Sequence, residues 1–289
     1  MLKRIISGVI AFLVFVPIVW FSQPGTPEGW AFPIAISIAT AIALGEMFNC
    51  IGILKMWYLS IPLILVGAAL PTLARYFDGG RESELHTVVL MIVVALVTYI
   101  LAVSLFSKGR FPIELAGLAF TTEFYICGGF TSIVLLRDFE NYGVYLFMLI
   151  FVGAWGTDIC AYFVGRFFGK HKLIPEVSPK KTIEGSIGGI VFCSLLYMLY
   201  GFILTKFVSG LSNTYWLLAI VGIIISVVAQ IGDLTMSQIK RQFGVKDYGK
   251  IMPGHGGILD RCDSVLSVAF VLIVACAFIR YLGGSLMEI

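Results

Sequence analysis

Residues 215–232 read YWLLAIVGIIISVVAQIG, residues 233–263 read DLTMSQIKRQFGVKDYGKIMPGHGGILDRCD, and residues 265–279 read VLSVAFVLIVACAFI. The outer two stretches are apolar runs of the kind that cross membranes as helices. The stretch between them holds Asp233, Asp247, Asp260 and Asp263, with Lys240, Lys246, Lys250, Arg241 and Arg261, His255 and five glycines. Charge at this density between two membrane helices needs a chemical reason.

Read as helix, Asp233, Ser237 and Lys240 fall at i, i+4 and i+7 and share one stripe. Asp260 and Asp263, at i and i+3, share a face at the start of the next apolar run. The turn PGHGG (253–257) between them cannot be regular helix, because Pro253 lacks a donor and the glycines favour tight turns. Carboxylates from two elements suit a hard cation such as Mg²⁺, and Lys and Arg beside them suit phosphate. A solvated loop with incidental charges is the weaker reading, since Asp233 directly follows an apolar run and an acid there is costly unless used.

The string SQIKRQFGVKDYGKIMPGHGGILDRCD (237–263) closely resembles the signature of the phosphatidate cytidylyltransferases, the CDP-diacylglycerol synthases. The shared pattern is Ser-x-apolar-Lys-Arg, four residues, Lys-Asp, a Pro-x-His-Gly-Gly turn, and Asp-Arg-x-Asp. Met252 and Cys262 stand where other apolar residues or Thr are usual, which leaves the polar positions intact. The resemblance implies CTP and phosphatidic acid as substrates and CDP-diacylglycerol and pyrophosphate as products. It also implies K⁺ as a second cation and a homodimer. Within this reading Asp233 and Asp260 are Mg²⁺ ligands, and Asp263 is either a ligand or a support for one. Lys240, Arg241, Lys246 and Arg261 hold phosphates. Asp247 orients Lys246 or a metal-bound water. His255 either donates to a phosphate oxygen or has a structural role in the turn.

Composition sets the class. Of 289 residues, 59% are hydrophobic and only 13% charged, with a mean hydropathy of +0.97. A soluble domain carries about 25% charged residues. The chain therefore reads as an all-α, polytopic integral membrane protein, one domain over 1–289, with N-terminal helices in 1–140 and the catalytic loops among the helices of 141–289. No nucleic-acid partner is expected. The six cysteines lie in or beside apolar segments without a CxxC pair or a Cys/His cluster, so neither zinc nor a disulfide framework is expected. Met1–Arg4 and the apolar run after it read as a first membrane helix, since no small-x-small cleavage site follows.

Nine segments are long enough to span: Ile5–Phe21, Trp30–Phe48, Met56–Leu73, Thr87–Phe106, Pro112–Leu136, Val144–Val164, Ile187–Phe207, Tyr215–Gly232 and Val265–Leu282. With the N-terminus inside, fifteen of the 20 basic residues fall in inside segments and five (Arg75, Arg81, Arg137, Lys206, Arg280) outside. The positive-inside rule then places both polar loops in the cytoplasm of a bacterial plasma membrane.

Elsewhere the signals are sparser. Glu46 lies in an apolar stretch, where it either reaches a substrate cavity or sits near headgroups; the second is favoured. Glu123 is deeper than Glu114, and its role is open. Residues 75–87 read as an outside loop in which His86 is solvated. The sixth segment ends GTDICAYFVGRFFGKHK (156–172), with a small-residue stripe at Ala161, Gly165 and Gly169 that supports close helix packing. Asp158, followed by Arg166, Lys170 and Lys172, looks like the wall of an anionic site, whereas His171 reads as a loop residue.

The next stretch, PEVSPKKTIEGSIGG (175–189), offers donors at Ser178, Lys180, Lys181 and Thr182 ahead of helix-opening glycines, an arrangement that suits phosphate. It lacks the GxxxxGK spacing of a Walker A loop. Its Ser-Pro-Lys-Lys-Thr-x-Glu-Gly order resembles a second block of the same family, which implies nucleotide contact by this block, Glu184 included, with Asp158 and Lys170 beside it. Two rival readings are a CTP-dependent polyprenol or dolichol kinase and a transporter for an anionic solute. The complete Lys-Asp, His-Gly-Gly and Asp-Arg-x-Asp string favours cytidylyl transfer over both.

Overall fold

Hydropathy alone locates most of the helices. The computed structural model describes residues 13, 16–22, 26–77, 82–139, 142–208, 215–252, 254 and 256–281. Among these residues, eight helices are long and apolar enough to cross a membrane. They are α1 (Ala31–Cys50), α2 (Trp57–Phe77), α3 (Glu82–Phe106), α4 (Ile113–Arg137), α5 (Gly143–Phe168), α6 (Ile183–Phe207), α7 (Leu217–Gln242) and α8 (Leu259–Tyr281). Each matches one expected span. The remaining span, Ile5–Phe21, lies largely outside the described residues, although residues 16–21 are helical. The fold is all-α and polytopic, with one short hairpin, β1 (Lys172–Ile174) against β2 (Ser178–Thr182).

Helix ends differ from the apolar limits in an informative way. The expected span Tyr215–Gly232 stops where apolarity stops, yet α7 continues to Gln242. Met, Gln, Lys and Arg in MSQIKRQ are all good helix formers, so the helix outlasts its hydrophobic part. Likewise α8 begins at Leu259, ahead of Val265. The weak break expected at Asn49–Lys55 is a true turn, with Gly52 at φ 81°.

The chain divides into two compact units, Met1–Asp138 with Phe243–Arg261, and Phe139–Gln242 with Cys262–Ile289. In the first, α1, α2 and α4 pack on one another, and α3 lies on α2 and α4. At Gly67 of α2 a Cβ would come 2.6 Å from both Cys127 Sγ and Leu44 Cδ1, so close approach of three helices requires a glycine there. Arg75 was expected in an exposed loop. It is instead buried at the end of α2, where its Nη1 donates to Asp138 Oδ1 at 2.6 Å. Arg137 is buried as well, and its Nη2 donates to Val19 O at 3.2 Å. His86 is exposed on α3.

In the second unit α5, α6 and α7 pack together. The stripe Ala161, Gly165, Gly169 does pack closely, and its partners are the glycines of α6. A Cβ on Gly185 would lie 2.7 Å from Ala161 O, and one on Gly188 would lie 2.6 Å from the Val164 methyls. The segment expected as an open loop before α6 is the β1–β2 hairpin, in which Lys172 faces Thr182 and Ile174 faces Ser178.

Candidate active site

Hairpin, helix ends and small residues build a cavity of about 360 Å³ in the second unit. Its walls are Asp158, Ala161, Tyr162, Gly165 and Arg166 from α5, and Leu173, Ser178, Lys180, Lys181 and Thr182 from the hairpin. Gly185 and Ser186 from α6 and Gln230 and Asp233 from α7 complete it. The hairpin supplies the cations because it is fixed at both ends. Ile183 N–H donates to His171 O at 2.9 Å, closing its base. Thr182, buried, caps α6 through Oγ1, which accepts from Gly185 N–H at 3.1 Å.

Three carboxylates and two lysines form a linked cluster through Asp233, which is part of this wall. Lys181 Nζ forms an ion pair with Asp233 Oδ2, both partly buried. Asp158 lies within charge range of Lys181 and Asp233, and its Oδ2 accepts from Ser264 Oγ at 3.4 Å. The carboxyl of Asp263 stands at hydrogen-bonding range of Asp233 and within charge range of Lys240, which is buried. Asp233 and Lys240 come from one face of α7, as the i, i+7 spacing requires. Two touching carboxylates are unfavourable unless a proton or a cation lies between them. Among the described residues no three Asp, Glu, His or Cys side chains form a closed metal cage. Mg²⁺ does not need one, since it commonly takes one or two protein carboxylates and fills its other positions with water and substrate phosphate. The donor set of Asp233 and Asp263 fits that chemistry.

Other expected residues sit differently. Lys170 and Glu184 do not line the cavity. Glu184 Oε2 accepts from the Lys170 N–H at 3.1 Å and its Oε1 meets His171 Nδ1 at 2.6 Å, so this carboxylate fastens the α5–β1 link. Gly188 and Gly189, read as part of a phosphate cradle, are closed by α5. Arg241 is exposed, with its Nε 3.4 Å from Val177 O on the hairpin turn. One buried cavity residue was missed from sequence. Gln230 has its Nε2 donating to Ser186 O at 3.3 Å. Arg166, expected at the wall of an anionic site, does line the cavity and donates to Tyr162 Oη at 2.8 Å at the exposed rim. The i, i+3 spacing of Gln230 and Asp233 on one helix could have flagged Gln230.

The rest of the signature belongs to the first unit. After α7 the chain turns at Gly244 (φ 68°), and a second turn is closed by Met252 N–H donating to Gly256 O at 2.9 Å. Lys246, Asp247, Lys250 and Arg261 are exposed, and His255 and Pro253 lie outside the described residues. Asp260, expected to face a metal, is buried, and its Oδ2 accepts from Tyr248 N–H at 2.8 Å and Gly257 N–H at 3.0 Å. Glu46 is buried too and reaches the same turn, a position the favoured headgroup reading did not foresee. Glu123 lies in α4, 2% exposed, with neither oxygen hydrogen-bonded among the described residues.

Comparison with known proteins identifies the family of the chain that holds this cavity. The Cytidylyltransferase family matches residues 2–279. This chain belongs to that family. Its relatives include the phosphatidate cytidylyltransferase of Staphylococcus saprophyticus, 36% identical over 92% of this chain and 95% of the relative. The phosphatidate cytidylyltransferase of Staphylococcus epidermidis is 37% identical over the same shares. That of Bacillus subtilis is 35% identical over 93% of this chain and 94% of the relative. Family membership places the cluster of Asp158, Asp233, Asp263, Lys181 and Lys240 in a chain whose relatives are nucleotidyltransferases.

Proposed function

We propose that this protein transfers the cytidylyl group of CTP to phosphatidic acid, giving CDP-diacylglycerol and pyrophosphate for phospholipid synthesis. The observation that carries the reading is a cavity lined by Asp158, Asp233, Lys181, Ser178, Lys180 and Thr182, with Asp263 and Lys240 linked to it through Asp233. In the reaction an oxygen of the phosphatidate monoester attacks the α-phosphorus of CTP. The bond from that phosphorus to the oxygen bridging it to the β-phosphate breaks, and pyrophosphate leaves. A phosphate monoester is already a nucleophile, so no Ser-His-Asp device is required. The obstacle is repulsion between two anions, which fixed cations offset.

Lys180 and Lys181 bind and orient the triphosphate, with the hydroxyls of Ser178 and Thr182 beside them. Lys240, buried next to Asp263, adds a fixed positive charge on the α7 side. Asp233 and Asp263 would hold Mg²⁺, which when bound offsets phosphate charge and stabilises the departing pyrophosphate. Lys181, paired to Asp233, keeps that carboxylate aimed at the cavity. Arg166 at the rim is placed to meet the lipid phosphate. Arg241, Lys246 and Arg261 retain the phosphate-holding role and Asp247 the orienting role that the signature implies, and the homodimer and K⁺ belong to the same expectation. The polar loops face the cytoplasm, where CTP is.

One assay tests the reaction. Purified protein is given CTP labelled in the cytidine or at the γ-phosphate, with Mg²⁺ and phosphatidic acid. Cytidine label should enter lipid as pyrophosphate is released. CDP release with γ-label entering lipid would mean a kinase, and uptake into vesicles with no nucleotide turnover would mean a transporter. Sidedness is read separately by placing Cys at position 250 in a cysteine-free background. Impermeant thiol reagent should label it only when the cytoplasmic face is opened.

A further inference from the structure

Helix α8 begins with amides that have no partner inside the helix. In this protein two carboxylates take three consecutive ones. Gly257 N–H donates to Asp260 Oδ2 at 3.0 Å, Ile258 N–H to Glu46 Oε1 at 3.2 Å, and Leu259 N–H to Glu46 Oε2 at 2.9 Å. Local capping is ordinarily done by a Ser, Thr, Asp or Asn next to the helix start. Glu46 instead comes from α1, more than 200 residues away in sequence. It is buried, so it adds a carboxylate to an apolar helix where such a group is costly.

The backbone is shaped around that carboxylate. At Gly249 and at Gly257 the three atoms nearest a hypothetical Cβ all belong to Glu46, and a methyl at either position would overlap it. Neither glycine has a positive φ, so what each provides is room for Glu46. The two glycines sit on opposite arms of the turn, in YGK (248–250) and GHGG (254–257). Asp260 Oδ2 links the same arms by accepting from Tyr248 and Gly257. Glu46 therefore bonds one arm of the signature turn and packs against the other, and it fills the anion site that the start of α8 would otherwise offer to a phosphate.

We propose that Glu46 is a positioning residue for cytidylyl transfer: seated between Gly249 and Gly257, it sets the conformation of the signature turn that carries Asp260 and Arg261. The proposal rests on the reading of the signature as part of the transferase machinery. Positioning errors of about 1 Å can lower rates by about 10²-fold. An error in this turn should therefore lower kcat while leaving CTP affinity nearly unchanged, because Lys180 and Lys181 do not depend on Glu46.

The test uses full-length protein in phosphatidate-containing micelles, with kcat and KM for CTP measured where each variant is fully folded by thermal unfolding. Glu46→Gln keeps size but places an N–H₂ against donors, and it should lower kcat by at least about tenfold with the CTP KM within about threefold. Gly257→Ala should do the same. Shortening the carboxylate with Glu46→Asp in the Gly257→Ala background should restore a large part of kcat, by making room while keeping the charge. Wild-type kcat in folded Glu46→Gln or Gly257→Ala, or no recovery in the double variant, overturns the proposal. Should Glu46→Gln fail to fold, the Gly257→Ala and double-variant pair decides alone. A wild-type protein without cytidylyl transfer would instead count against the proposed reaction.

Discussion

Two groups of acids, one in each unit, are used in opposite ways. In the first, Glu46 and Asp260 are surrounded by backbone N–H groups, and each donates its charge to holding a turn. In the second, Asp233 has Asp158 and Asp263 within charge range, with Lys181 and Lys240 among them, at the wall of a cavity. Fixed amides satisfy a carboxylate permanently, so such an acid is part of the framework. Acids that crowd each other keep an unmet demand for positive charge, and a phosphate site needs that demand when a cation must be recruited. The contrast separates acids that shape the site from acids that work in it, although the signature string mixes both kinds within one run of residues.

The largest effect should come from breaking the crowded pair. Asp233→Asn and Asp263→Asn keep volume and remove charge. Each should lower kcat by about 10²–10³, the usual cost of one lost electrostatic contact in the transition state. Each should also raise the Mg²⁺ concentration needed for half-maximal rate. Thermal unfolding should change little, or the protein should gain stability as like charges are relieved. Near wild-type turnover with unchanged Mg²⁺ dependence in both would show that these carboxylates only hold helices.

Next comes the cation that faces this pair. Lys181→Met keeps the stem and removes the charge that pairs with Asp233. Losing one charge-assisted contact to a phosphate should raise KM for CTP and lower kcat/KM by about 10–10². Lys180→Met, without that ion pair among the described contacts, should raise KM with a smaller change in kcat. A reversed ranking would mean that Lys181 serves Asp233 alone.

How far sequence could see these differences depends on distance along the chain. Hydropathy located the eight described helices, because membrane burial acts on local composition. It misplaced the ends of α7 and α8, since a helix built from MSQIKRQ extends beyond the apolar zone. The stripe at Ala161, Gly165 and Gly169 was legible from its period of four, but its partners at Gly185, Gly188 and Gly189 were read as a phosphate cradle. Only contact between α5 and α6 tells the two uses of glycine apart. The hairpin was hidden because SPKKT has the composition of a loop. The bond from Glu46 to Leu259 could not be read from any local pattern. Nor could the pairing of Lys181 with Asp233, which depends on how hairpin and helix meet.

Asp260 sharpens the comparison from the framework side. Asn retains one oxygen that can accept from both Tyr248 and Gly257, so Asp260→Asn should keep the turn and lower kcat by about tenfold or less. Asp260→Ala leaves two buried amides unmet and should lose about 1–3 kcal/mol of stability along with activity. If Asp260→Asn instead matched Asp233→Asn in a fully folded protein, Asp260 would belong with the working acids and the division drawn above would fail.

The smallest effect is expected at Glu184, where the two ways of using an acid make opposite predictions about one residue. If Glu184 contacts nucleotide, as its place in the SPKKTIEG block implies, removing its charge should move KM for CTP by tenfold or more. Its observed partners are the Lys170 and His171 amides and the His171 ring, and it stands outside the cavity walls. His171 itself is 74% exposed through its side chain, so that contact is screened by solvent and adds little. Glu184→Gln keeps an oxygen for one amide, so the α5–β1 link should loosen only slightly. The expected result is a CTP KM within about threefold of wild type and a kcat lowered by no more than that, because the hairpin lysines stay anchored by the Ile183–His171 backbone bond and the Thr182 cap. His171→Ala should be nearly silent. A tenfold rise in KM for Glu184→Gln, with His171→Ala unchanged, would move Glu184 to the working side and mean that its carboxylate leaves the backbone when nucleotide binds.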